Sequence, residues 1–236
     1  MTKTLCWGPL PQPRTISHLR LGSADYRETL ALQRELHALR SAGSIGDVVL
    51  SVEHNPVFTL GRTASQEHLL VEDRVRREAG IDLIAVERGG DITYHGPGQL
   101  VLYPILDLRG WDKDIHGYIH NLEEIMLQTL ESYGIEAQRR HGAPGTWVGQ
   151  RKIGSIGVHV KRWVSLHGLA FNVDINRSHV AMIRPCGLSV ELVSLADLLN
   201  ESPTVDRVLD HLLPVAQDVL GCSFVETSVE ELIGNG

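Results

Sequence analysis

Cysteine is scarce in this 236-residue chain: Cys6, Cys186 and Cys222 are too few and too scattered for a disulfide framework, and no Cys-x-x-Cys pair marks a zinc site or a redox couple. Long apolar runs are missing too, none approaching the ~20 residues needed to cross a bilayer. The opening Met1-Thr2-Lys3-Thr4-Leu5-Cys6-Trp7-Gly8-Pro9 reaches proline before an apolar signal region develops, so a cytoplasmic protein is expected. Positive charge is in deficit, with a formal net charge of -7, which argues against sequence-independent nucleic-acid binding. Neither Gly-x-x-x-x-Gly-Lys-Ser/Thr nor the dinucleotide glycine spacing occurs. His116 and His120 stand at i and i+4 without the Glu of His-Glu-x-x-His, so neither cofactor nor metal is expected. What remains, 42% hydrophobic and 22% charged residues, is the composition of an ordinary globular protein long enough to bury a substantial core. No linker, internal repeat or low-complexity segment divides it, and residues 1–236 read as one domain.

Leu32, Leu36 and Leu39 recur at helical spacing before Gly43, predicting a helix over 26–42. Residues 48–52 and 57–60 read as strands around His54-Asn55-Pro56, forming an antiparallel or bent pair. Ile119, Leu122, Met126, Leu130 and Tyr133 mark a second helix that stops before Gly134. Two hairpins follow, one turning at Gly149-Gln150 and one at Lys161-Arg162. Ser194-Leu195-Ala196-Asp197 resembles a capping box that starts a third helix, and Leu209, Leu212, Leu213, Ala216 and Leu220 indicate a fourth, which Pro214 would kink or divide. Helices towards both ends and strands between them, without strict alternation, predict an α+β fold. Basic clusters at Arg74/Arg76/Arg77, Arg139/Arg140/His141 and Lys161/Arg162 read as solvated surface that could include a docking patch for an acidic partner.

The most informative stretch is Arg88-Gly89-Gly90-Asp91-Ile92-Thr93-Tyr94-His95-Gly96-Pro97-Gly98-Gln99, set between two apolar runs. Its glycines let a ligand lie against the backbone, and a turn alone does not call for Arg, Thr, Tyr and His together. Cys186, between Pro185 and Gly187, has the local setting of an exposed thiol at a bend; Cys6 and Cys222 do not. A thiol with a pKa of about 8.5 needs help to react near neutrality. Lys152, in Gln150-Arg151-Lys152-Ile153-Gly154-Ser155-Ile156-Gly157, is one candidate to lower that pKa; His95, His159 and His167 compete as bases or substrate-orienting groups.

Four segments taken together resemble the octanoyltransferases of lipoate synthesis: the stretch from Arg88 to Gln99, Lys152-Ile153-Gly154-Ser155-Ile156-Gly157, His167-Gly168-Leu169-Ala170-Phe171-Asn172, and Pro185-Cys186-Gly187. The resemblance implies a biotin/lipoate protein ligase-like α+β domain with a mixed, largely antiparallel sheet flanked by helices. It implies transfer of an octanoyl group from octanoyl-acyl carrier protein to a lysine of lipoyl domains, those of 2-oxoacid dehydrogenase complexes and the glycine cleavage H protein, without nucleic acid, membrane or cofactor. Carried over, Cys186 is the acyl-accepting nucleophile and Lys152 its pKa-lowering partner. Arg88, Gly89, Gly90, Asp91, Ile92, Thr93, Tyr94 and His95, together with Ser155, Ile156, Gly157, Gly168, Leu169 and Ala170, would line the acyl site, with Tyr103 and His159 close by. An ATP-dependent lipoate ligase, a thiol acyl hydrolase and a non-catalytic carrier- or lipoyl-domain-binding protein are the competing readings.

Overall fold

A computed structural model describes residues 14–111, 113–185 and 190–234. Cys6 and Cys186 lie outside the described residues. The chain opens on β1 (Arg14–Ala24) and helix α1 (Tyr26–Ala42). Asp25 caps α1 by accepting from the Arg27 and Glu28 amides, and Gly43 ends it at φ 80°, where only a residue without Cβ sits at ease. Then come β2 (Val48–His54), β3 (Val57–Leu60), α2 (Asp73–Glu78), β4 (Asp82–Ala85), β5 (Ile92–His95) and β6 (Gln99–Ile105). Helix α3 (Ile115–Ser132) precedes β7 (Gly145–Val148), β8 (Arg151–Lys161), β9 (Val164–Asn172) and the single turn α4 (Arg177–Val180). The described chain ends with α5 (Val205–Leu220), β10 (Cys222–Glu226) and α6 (Val229–Gly234).

Seven strands form a mixed sheet in the order β10-β1-β2-β6-β9-β8-β7, and β4-β3-β5 form a second, smaller one. β1 runs parallel to both β10 and β2, and every other pairing of the large sheet is antiparallel. Helices α3 and α5 cover one face, where Leu100, Leu102, Leu169 and Phe171 meet Leu122, Met126, Leu209 and Leu212. The opposite face turns Val101, Tyr103 and Ala170 towards the side of Leu36 of α1. Period-two alternation along β6 and β9 therefore separates a packed core from the face that carries the site.

The structure corrects four expectations. β2 and β3 do not pair: the chain bends at Asn55-Pro56 and passes from the large sheet to the small one. Residues 92–95 of the glycine-rich stretch are strand β5, not loop, and pair with β3. The Ser194–Asp197 capping box forms but supports only a 3-10 turn, Leu195–Asp197. Pro214 neither divides nor ends α5. Among the described residues no helix is long and apolar enough to cross a membrane.

Candidate active site

The stretch from Arg88 to His95 is tied down on both sides by its own polar groups. The buried Arg88 guanidinium donates to the Thr59 carbonyl and hydroxyl, each at 2.7 Å, and to the Gly89 carbonyl at 3.0 Å. The Gly89 amide donates to the Val158 carbonyl at 2.9 Å, fastening the glycines to β8. Close approach is what Gly157 permits: a Cβ there would stand 2.9 Å from Arg88 Cδ. Asp91 accepts from the Ser65 and Ile92 amides, and its second oxygen lies 2.5 Å from His68 Nδ1. Its carboxylate therefore organises the loop as well as bordering the cleft.

Beneath this loop the large sheet offers a floor of small residues, Ser155, Gly157, Gly168 and Ala170, with Gly157 facing Gly168 and Ser155 facing Ala170 across β8 and β9. The cleft between loop and floor is lined by Arg88, Gly89, Gly90, Asp91, Ile92, Thr93 and His95 on one side. Tyr103, Val101, Tyr26, His167, Lys152, Pro185, Val190 and Leu192 complete the lining, and Ile156 and Leu169, whose side chains pack towards α3 and α5, border it between the floor residues.

Lys152 reaches this cleft because of a β-bulge. Trp147 pairs with Lys152 but Thr146 pairs with Gly154, leaving Ile153 as an extra residue. Ile153 packs into the α3 core, and a Cβ on Gly154 would strike Met126 of α3, so both face that helix. Strict alternation would put Lys152 on the same side as Gly154; the extra residue turns it to the cleft. There the buried ammonium lies 5.3 Å from the centre of the Trp147 ring. The Lys152 amide donates to the Glu191 carbonyl and its own carbonyl accepts from Val193, so residues 191–193 run beside β8. The described residues flanking Cys186 in the chain, Pro185 and Val190, thus border the same cleft as Lys152.

A buried polar chain backs the cleft and ends on the segment that runs beside Lys152. His95 Nδ1 lies 2.7 Å from Gln99 Oε1; Gln99 donates to Asn172 Oδ1, and Asn172 donates to the Val193 carbonyl. Because Gln99 Oε1 can only accept, His95 carries its proton on Nδ1 and leaves Nε2 as an acceptor. Burial, with His54 and Arg88 nearby, holds the His95 pKa well below the ordinary histidine value. His54 Nε2 lies 2.8 Å from the Tyr103 hydroxyl, and burial lowers its pKa to about 4. Burial likewise pushes the Tyr103 hydroxyl well above 10 and Tyr26 up to about 12. The wall is therefore neutral near pH 7, and among the described residues Arg88 and Lys152 are the arginine and lysine that line the cleft.

Two expected residues stand elsewhere. Tyr94 points into the small sheet's own core, edge-on to Phe58, with its hydroxyl 3.3 Å from His179 Nδ1. Alternation along β5 turns it away from the cleft that His95 borders. His159 lines a separate surface groove with Arg34, His37 and Lys161. Cys222, which lacks the sequence setting of an exposed thiol, is buried, with its thiol pushed up to about 12 by burial. Tyr26 and His54 were not singled out from sequence, and Gln99 and Asn172 stood at the ends of two quoted segments without a role of their own. Only a buried polar residue at a core position of a strand or helix would have marked them, and burial is not visible in sequence.

The fold and these residues define a class. The lipoyl protein ligase A/B catalytic domain matches residues 25–216, and the chain belongs to that family. Within it, a relative from Solibacter usitatus named octanoyltransferase is 49% identical, over 76% of this chain and 81% of its own. A second octanoyltransferase, from Caldicellulosiruptor bescii, is 41% identical over 90% of this chain and 94% of its own. Among solved structures, a bi-partite lipoate protein ligase of an archaeal lipoylation system from Thermoplasma acidophilum superposes with a TM-score of 0.74 at 16% identity, covering 94% of this chain and 90% of that one. That likeness is one of fold.

Proposed function

We propose that this chain transfers an octanoyl group from octanoyl-acyl carrier protein to a lysine of lipoyl domains through a thioester on Cys186. The observation that carries the reading is the position of Lys152, turned by a bulge into a cleft with a small-residue floor and bordered by Pro185 and Val190, the nearest described residues before and after Cys186. Octanoyltransferase relatives that span most of the chain support it.

In the first step the Cys186 thiolate attacks the thioester carbonyl of the carrier, the carbon–sulfur bond to the carrier breaks, and Lys152 protonates the leaving thiolate. A thioester replaces a thioester at little cost in free energy. In the second step the neutral amine of the acceptor lysine attacks the acyl-enzyme. The amide bond forms, the Cys186 sulfur leaves as thiolate, and Lys152, neutral after the first step, takes the amine's proton. Amide formation makes the sequence run downhill without ATP.

Intact-mass measurement after incubation with octanoyl-acyl carrier protein tests this directly. A single octanoyl adduct is expected, absent in Cys186→Ala and discharged on adding a lipoyl domain with no nucleotide present. Transfer that requires ATP, or an adduct that persists in Cys186→Ala, would overturn the mechanism.

A further inference from the structure

His167 is the one cleft residue whose geometry the transfer chemistry leaves unexplained. Its side chain is 1% exposed, yet among the described residues neither ring nitrogen has a hydrogen-bond partner within 3.5 Å, the Glu87 carboxylate standing just beyond that reach of Nε2. Its backbone sits at φ 60°, a left-handed conformation rare for a residue with a Cβ, and the Gln33 side-chain oxygen holds its amide there at 3.1 Å. That conformation interrupts the alternation of β9 and brings the ring edge-on to Tyr103, on the cleft side. Behind it stands Glu87, 3.8 Å from Nε2 and gripped by Arg34 through two hydrogen bonds. A strained, buried and unsatisfied histidine is expected to persist where it meets a ligand.

Its place along the cleft says which part of the ligand. His167 faces Val158 in the β8–β9 ladder, six positions beyond Lys152, or roughly 20 Å of strand at ~3.3 Å per residue. Both residues line the same cleft from those two anchors. An extended eight-carbon acyl chain, roughly 9 Å at an advance of ~1.3 Å per bond, fits within that span with room left for the two side chains. With the acyl carbonyl at Lys152, the methyl end arrives at His167.

We infer that His167 is the end wall of the acyl cleft and sets its chain-length limit. This rests on the acyl-transfer reading of the site. A chain that stops short leaves the imidazole nitrogens free to bond a water molecule; a chain two carbons longer presses hydrocarbon onto them and strands them without a partner. The limit is thus polar as well as steric.

The test uses His167→Asn and His167→Gly, both of which tolerate positive φ. Octanoyl, decanoyl and dodecanoyl carrier proteins are compared in transfer to a lipoyl domain. Thermal-shift binding of the corresponding free fatty acids is measured in parallel. Wild type is expected to favour octanoyl. The decanoyl-to-octanoyl ratio of kcat/KM should rise roughly tenfold in His167→Gly, the scale of two buried methylenes, and less in His167→Asn, which keeps a polar head. The fatty-acid series should shift in the same order. A ratio unchanged in both folded variants would overturn the inference. Absence of transfer in wild type with every chain would instead defeat the functional reading, while the fatty-acid series would still judge the wall.

Discussion

Two residues without reactive groups decide where Lys152 points. Ile153 is the extra residue of the bulge, and Gly145, at φ 128° on the neighbouring strand, leaves the space that the lysine stem fills. A Cβ on Gly145 would stand 2.6 Å from Lys152 Cε and 2.3 Å from the Gly154 carbonyl oxygen. Gly145→Ala is therefore expected to cost about 2–4 kcal/mol of stability and to displace the ammonium. Octanoyl transfer should fall by more than the folded fraction does. Rates measured on protein shown to be folded by circular dichroism would check this, and an unchanged rate per folded molecule would show that Lys152 has another route into the cleft. Closely spaced glycines marked Lys152 as a candidate in sequence, but a role beside Cys186 came only from the family resemblance. Its facing was not legible, since the bulge depends on how β7 and β8 pair. Tyr94 shows the same limit in reverse: a residue inside a motif, yet on the wrong side of its strand.

Among the elements, the β8–β9 hairpin carries visible strain. Its turn is Arg162-Trp163, and both residues hold positive φ, 54° and 66°. Two-residue hairpin loops of that geometry favour Asn-Gly, because a Cβ in the left-handed region costs roughly 1 kcal/mol or more. Replacing the pair by Asn-Gly is expected to stabilise the protein by about 1–2 kcal/mol, seen as a higher denaturation midpoint; a lower one would show that the exposed Arg162 and Trp163 side chains stabilise the fold by more than their strain. The hairpin itself was readable from alternation on both sides of Lys161-Arg162, as were α1 and α3 from their leucine spacing and flanking glycines. β1, β10 and the small sheet were not. β1 and β10 pair in parallel across most of the chain length, and β2 and β3 lie close in sequence but in different sheets. Such pairings are set by which edges meet in three dimensions, and local pattern carries no record of them.

At the scale of the whole molecule, buried histidines decide the response to acid. Burial lowers the pKa of His18, His54, His95 and His167, so each is neutral in the folded protein at pH values where the unfolded chain would already bind a proton. The unfolded state then holds more protons than the native one, and stability rises with pH across that window. For His54 the window runs from 6.5 in the unfolded chain down to about 4 in the fold, which corresponds to about 3 kcal/mol lost as pH falls through it. Glu87, held well below the usual carboxylate range by His167 and Arg34, adds a second loss that begins only as pH falls below its unfolded value of 4.5. Denaturant midpoints measured from pH 7 downwards should therefore start to fall near 6.5, before the carboxylates titrate, and His54→Gln should flatten that first decline. Stability that stays level until the carboxylate range would mean that these rings are protonated or solvated in the folded protein. The wall behind the cleft would then carry charge.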